Sequence, residues 1–213
     1  MTIDTTLLAQ TELDPRTPPD TERMDRLHAG LVSQAEAQGL VDVAYRVLDT
    51  PVGALLLAAS DVGLVRVAFA IEDHDQVLQT LAATISPRVL AAPARLDGVA
   101  RQLDEYFDGE RRSFDLAVDL RRSGGFRREI LERLPQVGYG QTVTYAAMAA
   151  VAGRPKAVRA VGSACATNPV PIVVPCHRIV RSDGSLGGYL GGLVVKRQLL
   201  TLESPPPQEQ PTE

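Results

Sequence analysis

The order of strand-like and helix-like patterns along the chain places the strongest constraint on its fold. The strand-like runs lie at 41–47, 54–59, 64–69 and 113–120. The helix-like runs lie at 75–85 and 96–107. Because most of the strands are grouped ahead of the helices, the pattern predicts an α+β domain over residues 41–122. Leu103, Tyr106 and Phe107 are expected in its core.

Residues 123–203 are predicted to be mainly helical. Two of the expected helices lie at 126–134 and 194–202. Between them, Thr144 can cap a short helix that Gly153 ends, and Pro155 fits the first turn of a second helix that runs to about Cys165. Two short helices joined by a tight turn predict a helix-turn-helix, which occurs in DNA-binding proteins and also as an ordinary helical hairpin.

The second helix of this pair carries small residues around one arginine. Ala157, Ala160 and Gly162 are small, and Arg159 lies among them. Small side chains allow a close approach to a backbone, which suits a narrow groove better than side-chain readout in the major groove. An exposed arginine taken alone is more often only solvated or paired with a phosphate or carboxylate.

A thiol and an imidazole stand at the end of an apolar run. Residues 170–174 are largely β-branched and lie among prolines, which predicts a short buried strand. Cys176 and His177 follow where the backbone must turn. A buried cysteine usually packs as a small hydrophobe, so the pair alone leaves a packing role and a nucleophilic role both open. Direct contact between the two side chains is not expected, because neighbours in an extended segment point to opposite sides.

Charge and cysteine content restrict the classes of function. The net charge of −4 argues against nonspecific nucleic-acid affinity for the whole chain. Residues 126–178 nevertheless carry seven arginine and lysine residues, including Arg178, against two glutamates, which is compatible with a local, salt-sensitive DNA contact. Cys165 and Cys176 are the two cysteines, and a reducing compartment would disfavour a disulfide between them.

Several patterns are absent from the sequence. It has no apolar run of about eighteen residues, and its start lacks the features of a signal peptide, so a cytoplasmic protein without membrane contact is expected. It has no Cys-x-x-Cys motif and no histidine pair at metal spacing, so no metal site is expected. No dinucleotide fingerprint follows a strand, so no cofactor is expected either.

Six motifs between Gly140 and Glu203 resemble the O6-alkylguanine-DNA alkyltransferases, or methylated-DNA–protein-cysteine methyltransferases. The motifs are Thr144-Tyr145, residues 155–162, Asn168-Pro169, Val174-Pro175-Cys176-His177-Arg178, residues 188–192 and residues 199–203. A weaker resemblance reaches back to about Val41. The resemblance implies a ribonuclease-H-like N-terminal sheet domain without nuclease chemistry. It also implies a mainly helical, helix-turn-helix domain that carries the reactive cysteine.

The resemblance also implies the chemistry. Cys176 would attack the alkyl carbon on guanine O6 and keep the alkyl group as a thioether, so each protein would act once. His177 would reach the thiol through a water, and Glu203 would orient the imidazole. Asn168 would tie the helix-turn-helix to the site. Tyr145 would bond the guanine and help to rotate the phosphate.

The implied partner is duplex DNA that contains O6-alkylguanine, with O4-alkylthymine as an alternative lesion. Docking would use the minor groove, and Arg159 would enter the duplex in place of an extruded nucleotide, because the target atom cannot be reached inside the stack. The other implied DNA contacts are Ala157, Ala160, Gly162 and Tyr145. The implied pocket residues are Pro171, Ile179, Tyr189 and Leu190. The free protein is expected to be a monomer.

The two ends of the chain extend beyond the resemblance. Residues 1–40 are predicted to form an N-terminal extension, disordered to residue 20 and then helical to about Gln38, with Gly39 ending the helix. Residues 204–213 contain four prolines, which predicts a disordered tail.

Two other classes of protein fit part of the pattern. A DNA-binding regulator or damage-flagging protein would use the helix-turn-helix without chemistry, and Cys176 argues against it. A thiol hydrolase would use the Cys-His pair to turn over esters or peptides, but it gives no reason for Arg159 among small residues.

Overall fold

The computed structural model describes residues 21–204. The predicted disordered segments, 1–20 and all but the first residue of 204–213, lie outside the described residues. The chain divides into two compact units, Met1–Leu40 and Val41–Glu213. Among the described residues, no helix has both the length and the apolar character that crossing a membrane requires.

The first unit contains helix α1, Thr21–Ala37, at the position where a helix is predicted. The helix ends where Gly39 adopts a left-handed φ of 64°. The amide of Leu40 then returns to the carbonyl of Ala35 at 2.8 Å. Glycine ends a helix in this way because a residue without a Cβ adopts positive φ at little cost.

The second unit begins with a four-stranded sheet. Its strands are β1 (Val43–Leu48), β2 (Leu55–Ala59), β3 (Leu64–Phe69) and β4 (Val89–Ala91). Their order is β3-β2-β1-β4, in which β1 pairs antiparallel with β2, β2 antiparallel with β3, and β1 parallel with β4. The first three strands confirm the predicted strands, whereas β4 has three residues and is too short to give a periodic signal.

Two helices in the N-terminal half of the second unit match the predicted ones. They are α2 (His74–Thr84) and α3 (Asp97–Phe107). Asp73 starts α2, because its side chain accepts hydrogen bonds from the amides of Asp75 and Gln76. Val77 and Leu81 of α2 belong to an apolar cluster with Leu56 and Ala58 of β2, while Leu55 and Leu57 belong to the larger core. Helices and loops therefore cover both faces of the sheet, which explains why β2 reads as a continuous apolar run.

The prediction of a strand at 113–120 is wrong. Within this segment the strand pairing is limited to one bridge between Leu64 and Val118. A side chain satisfies part of the backbone instead, because the amide group of Gln102 both donates to the carbonyl and accepts from the N–H of Asp115. Alternating apolar residues indicate an extended chain, but they do not reveal whether another strand lies beside it.

The second half of this unit is mainly helical, as predicted. Its elements are α4 (Gly125–Arg133), β5 (Val143–Thr144), α5 (Tyr145–Val151), α6 (Val158–Ala166), β6 (Ile179–Val180) and α7 (Gly192–Leu202). Thr144 caps α5 as predicted, since its hydroxyl accepts from the amide of Ala147 at 3.1 Å. Pro155 lies in the turn before α6 and not in its first turn, because the helix starts only at Val158.

The predicted strand at 170–174 is buried but is a compact turn. The amide of Val174 donates to the carbonyl of Val170 at 2.9 Å, and Ile172 has a φ of 73°. The Asn168 side chain holds both ends, because its Oδ1 accepts from the amide of Val170 at 3.0 Å and its Nδ2 donates to the carbonyl of Val174 at 2.8 Å. Pro171 lacks an N–H for a strand ladder, so the local amide partner prevails over the β-branched composition.

One apolar core joins the two halves of the second unit. It includes Leu57 and Leu103 from the first half and Leu131, Val161 and Leu199 from the second, all fully buried. Leu103 and Tyr106 lie in this core as predicted, and Phe107 packs against it. The division at residue 122 stays a prediction, since this core extends across it.

Gly63 is predicted to be required by the turn between β2 and β3. It has a φ of 155°, and an added Cβ would lie 2.4 Å from the carbonyl oxygen of Ala117. Gly63→Ala should therefore lower the free energy of unfolding by about 1–3 kcal/mol in urea denaturation. Gly98→Ala is the matched control, because Gly98 lies in α3 with no atom within 4 Å of its added Cβ. An equal loss in both variants would contradict a specific clash at Gly63.

Candidate active site

Asn168 positions the thiol of Cys176. Cys176 begins a 3-10 turn, Cys176–Arg178, that directly follows the buried turn at 170–174. The Asn168 Nδ2 group lies 3.1 Å from Cys176 Sγ and also donates to the carbonyl of Val174. The structure thus brings together Asn168 and Cys176, two of the predicted catalytic residues, and fixes the sulfur relative to the end of α6.

The Cys176 thiol is protonated at neutral pH. It is 2% exposed. Burial raises the pKa of the Cys176 thiol to about 11, and the hydrogen bond from Asn168 and the Lys196 ammonium only partly oppose that rise. The thiolate is the nucleophilic form of cysteine, so a base must take the proton when the sulfur reacts.

His177 is suited to act as that base. Its ring is fully buried, with Nε2 2.8 Å from Glu203 Oε1. A carboxylate only accepts hydrogen bonds, so Nε2 carries the proton and Nδ1 keeps its lone pair. Burial lowers the pKa of His177, although Glu203 opposes this, so the ring is neutral. Within residues 21–204, Nδ1 has no hydrogen-bond partner.

Glu203 is a buried carboxylate held by several donors. Arg178 donates from Nε to Oε2 at 2.9 Å and from Nη2 to Oε1 at 2.8 Å. Tyr106 donates its hydroxyl to Oε1 at 2.7 Å, and the amide of Gly140 lies 3.4 Å from Oε2. Burial acts to raise the pKa of Glu203, but the hydrogen bonds from His177 and Arg178 outweigh it and lower the pKa to about 2. The group is therefore ionised and orients the imidazole.

Arg178 is buried, although its place in a basic stretch of the sequence suggests an exposed side chain. Its charge contributes to the basic stretch at 126–178, but the side chain is buried against Glu203 and donates to the carbonyl of Val137 at 2.6 Å. This arginine therefore neutralises a carboxylate inside the protein and adds nothing to a DNA-facing surface. The sequence signal for this burial is its position close behind the apolar run at 170–174.

Lys196 is a second charged residue whose place the sequence does not reveal. It is fully buried on α7, and its Nζ donates to the carbonyl of Ile179 at 2.6 Å and lies 3.5 Å from that of Gly187. Burial lowers the pKa of Lys196, and the nearby Cys176 acts in the opposite direction. In the sequence it follows Val194 and Val195 as one polar residue of an amphipathic helix, which normally indicates exposure.

A surface cavity of about 400 Å³ lies beside these groups. It is lined by Tyr145, Val158, Gly162, Ala166, Arg181, Gly187, Gly188, Tyr189 and Leu190. Gly187 allows the close approach of the Tyr145 ring, because an added Cβ would lie 2.3 Å from its hydroxyl oxygen. Three of the predicted pocket residues, Tyr145, Tyr189 and Leu190, line this one cavity. Pro171 and Ile179 are buried and do not line this cavity.

Four of the predicted DNA contacts lie just before helix α6 or on its outer side. Arg159 and Ala160 are exposed, and Ala157 and Gly162 are half-buried. Val161, Ala164 and Cys165 of the same helix face the core. Gly162 also lines the cavity, so the surface of α6 and the cavity adjoin each other. Among the described residues, no group of three or more histidine, cysteine and acidic side chains could hold a metal.

Known proteins share this arrangement of two halves. The family model described as "6-O-methylguanine DNA methyltransferase, ribonuclease-like domain" matches residues 43–120. The model described as "6-O-methylguanine DNA methyltransferase, DNA binding domain" matches residues 125–205. A methylated-DNA–protein-cysteine methyltransferase of Mycolicibacterium paratuberculosis is 40% identical over 161 residues, which are 76% of this chain and 92% of that protein.

Solved structures give the same result. The crystal structure of the Mycobacterium tuberculosis O6-methylguanine methyltransferase has a TM-score of 0.67 and 36% sequence identity, and covers 76% of this chain and 92% of its own. A crystal structure of Mycobacterium tuberculosis OGT in complex with DNA has a TM-score of 0.65 and 35% identity, and covers 75% of this chain and 92% of its own.

The ion pair of Arg178 with Glu203 is predicted to be essential for stability. Arg178→Met leaves a buried carboxylate without its main partner, so the free energy of unfolding should fall by about 3–5 kcal/mol in urea denaturation. Arg128→Met is the control, because Arg128 pairs with Glu132 at side-chain exposures of 48% and 50%. That variant should lose no more than about 0.5 kcal/mol. Similar losses in the two variants would argue against the buried pair.

Proposed function

Because the chain belongs to the 6-O-methylguanine DNA methyltransferase family and repairs DNA by transferring an alkyl group to a cysteine, we propose that Cys176 is that cysteine. The observation that carries this proposal is the set of hydrogen bonds at and next to the Cys176 sulfur. Asn168 contacts Sγ, and the neighbouring His177 is bound to the ionised Glu203. Cys165 is buried in α6, outside the Cys176–Glu203 arrangement, and serves packing.

The proposed reaction is a displacement at the alkyl carbon of O6-alkylguanine. His177 takes the thiol proton at Nδ1 through a bridging water while the sulfur attacks. A carbon–sulfur bond forms and the bond from carbon to guanine O6 breaks. His177 gives up the proton through water, the guanine leaving group gains one, and the repaired guanine stays in the DNA. The product is a thioether, and no step returns the thiol, so each protein acts once. O4-alkylthymine has the same reactive carbon–oxygen bond and is an alternative lesion.

Helices α5 and α6 are proposed to act as a helix-turn-helix in the minor groove of duplex DNA. The small residues Ala157, Ala160 and Gly162 allow close approach, and the exposed Arg159 occupies the gap left by an extruded nucleotide. This proposal is supported by the cavity beside α6, which is bordered by Tyr145 and Gly162. An extruded base would pass from the surface of the helix directly into it.

The proposed pocket has two groups of residues. Tyr145, Tyr189 and Leu190 contact the extruded base at the cavity. Pro171 and Ile179 support it from buried positions. Residues 41–122 serve as the scaffold, and residues 123–203 carry DNA binding and chemistry.

The protein is proposed to act as a monomer in the cytoplasm. Cys176 and Cys165 are both free thiols. A reducing compartment keeps an acceptor thiol available, whereas oxidation would block its attack on the alkyl carbon.

Peptide mass spectrometry after reaction with a duplex carrying one O6-methylguanine tests the acceptor. One methyl group is expected on the Cys176 peptide for each lesion lost, because the thioether is not hydrolysed. Cys176→Ser should abolish transfer, and Cys165→Ser is the matched control that should keep it. A methyl group on Cys165, or loss of the lesion with an unmodified Cys176, would overturn the assignment.

Arg159→Ala separates nucleotide extrusion from chemistry. Transfer from O6-methylguanine in a duplex should slow by more than about tenfold, because unstacking a nucleotide costs a few kcal/mol. Transfer from free O6-benzylguanine should be unchanged, since no base has to leave a helix. Lys156→Ala is the control, because this exposed cation lies outside α6 and should mainly reduce the salt dependence of binding. Equal losses on both substrates would contradict an extrusion role for Arg159.

A further inference from the structure

We propose that Tyr106 is a positioning residue that controls the proton affinity of His177, because both side chains bind the same oxygen of Glu203. The Tyr106 hydroxyl lies 2.7 Å from Glu203 Oε1, and His177 Nε2 lies 2.8 Å from that oxygen. All three side chains are buried. This inference rests on the proposed role of His177 as the base for Cys176.

Tyr106 reaches the site from the other half of the protein. It lies on α3, within the residues matched by the ribonuclease-like family model, while His177 and Glu203 lie within those matched by the DNA-binding model. Its ring is held by Phe107, Phe114 and Tyr139, with ring centroids at 5.3, 5.2 and 6.2 Å. The first half therefore supplies a fixed group to the catalytic arrangement.

The Tyr106 hydroxyl acts only as a donor here. An ionised carboxylate offers no proton, so the phenol must donate to it. Burial and the charge of Glu203 raise the pKa of Tyr106 well above its usual range, so the phenol stays neutral at any working pH. Its hydrogen bond is therefore present whether His177 is neutral or protonated.

The other groups around Glu203 and His177 determine how much this donor matters. Oε1 also accepts from Arg178, and Oε2 accepts from Arg178 and the amide of Gly140. The rings of Tyr189 and His177 are nearly perpendicular, with centroids 6.3 Å apart. Lys196 and Cys176 are the remaining titratable groups nearby, and the positive charges of Lys196 and Arg178 disfavour a protonated His177.

Sharing one oxygen weakens the attraction between Glu203 and a protonated His177. Each donor to Oε1 already compensates part of its negative charge, so less of that charge remains to stabilise an imidazolium. Without Tyr106, that oxygen would stabilise the imidazolium more strongly, and the pKa of His177 would rise. His177 accepts a proton only when neutral, so transfer slows as the pH falls through this pKa. Tyr106 thus extends the working range of the protein toward lower pH.

Tyr106→Phe tests this role with little change in shape. The midpoint of the acidic limb of the single-turnover rate, measured with saturating O6-methylguanine duplex, should move upward by roughly one pH unit. NMR titration of the His177 ring in the free protein should show the same shift. The chain has three histidines, so the ring signals can be assigned by substitution.

Tyr139→Phe is the matched control. Its hydroxyl donates to the carbonyl of Leu202 at 2.9 Å, next to Glu203 but not to its carboxylate. This variant loses a comparable hydrogen bond from the same aromatic group, so it should keep the wild-type midpoint. An equal shift in both variants, or no shift in Tyr106→Phe, would overturn the proposal.

A fluorinated tyrosine at position 106 tests the opposite direction and serves if Tyr106→Phe does not fold. A more acidic phenol is a stronger donor, so the midpoint and the His177 pKa should both move downward. An unchanged or higher midpoint would contradict the proposal. Methylation of Cys176 in the wild-type protein at alkaline pH distinguishes failure of this inference from failure of the proposed function. If Cys176 stays unmethylated there, its role as the acceptor is refuted, but the role of Tyr106 is not.

Discussion

The packing of the second unit depends on the burial of one ionised carboxylate, Glu203. An unpaired charge in a protein interior costs many kcal/mol, so Glu203 can exist there only if the surrounding chain supplies donors. Those donors come from α3, the turn at Gly140 and the 3-10 turn Cys176–Arg178. An added Cβ at Gly140 would lie 2.6 Å from the carbonyl oxygen of Glu203. Segments distant in sequence are thus held together by one charge and by the apolar core around it.

Local patterns predicted most of the elements but not their partners. Strands β1 to β3 and the longer helices follow from apolar spacing, and α5 and α6 follow from capping and helix-breaking residues. The strand predictions at 113–120 and 170–174 are wrong because the side chains of Gln102 and Asn168 hold parts of these backbones, and pairing with a strand is limited to the single bridge at Val118. A side-chain amide outside the segment leaves no periodic signal in the segment it binds. Element β4 pairs with β1 across a long separation and is equally invisible to periodicity.

The candidate site shows the same division. The structure brings together Asn168, Cys176, His177 and Glu203. Their proximity could be predicted, because they belong to the motifs that resemble a known family. Tyr106 was expected in the core, and its burial is confirmed, but its hydroxyl also has a partner 97 residues away. Lys196 and Arg178 are charged residues, which the sequence alone predicts to be exposed to solvent. Only the folded structure shows that these two charges are buried and hydrogen bonded.

The short parallel pairing of β5 with β6 links the start of α5 to the chain that follows the Cys176 turn. Val143 pairs with Ile179 and Thr144 with Val180, so the start of α5 is hydrogen bonded to the chain that leaves the Cys176 turn. The carbonyl of Ile179 also holds Lys196 of α7. The pairing therefore fixes the start of α5 relative to the Cys176 turn. At the proposed DNA-binding surface of α5 and α6, binding energy can hold the reacting atoms in place, because less of it is consumed in ordering a loop.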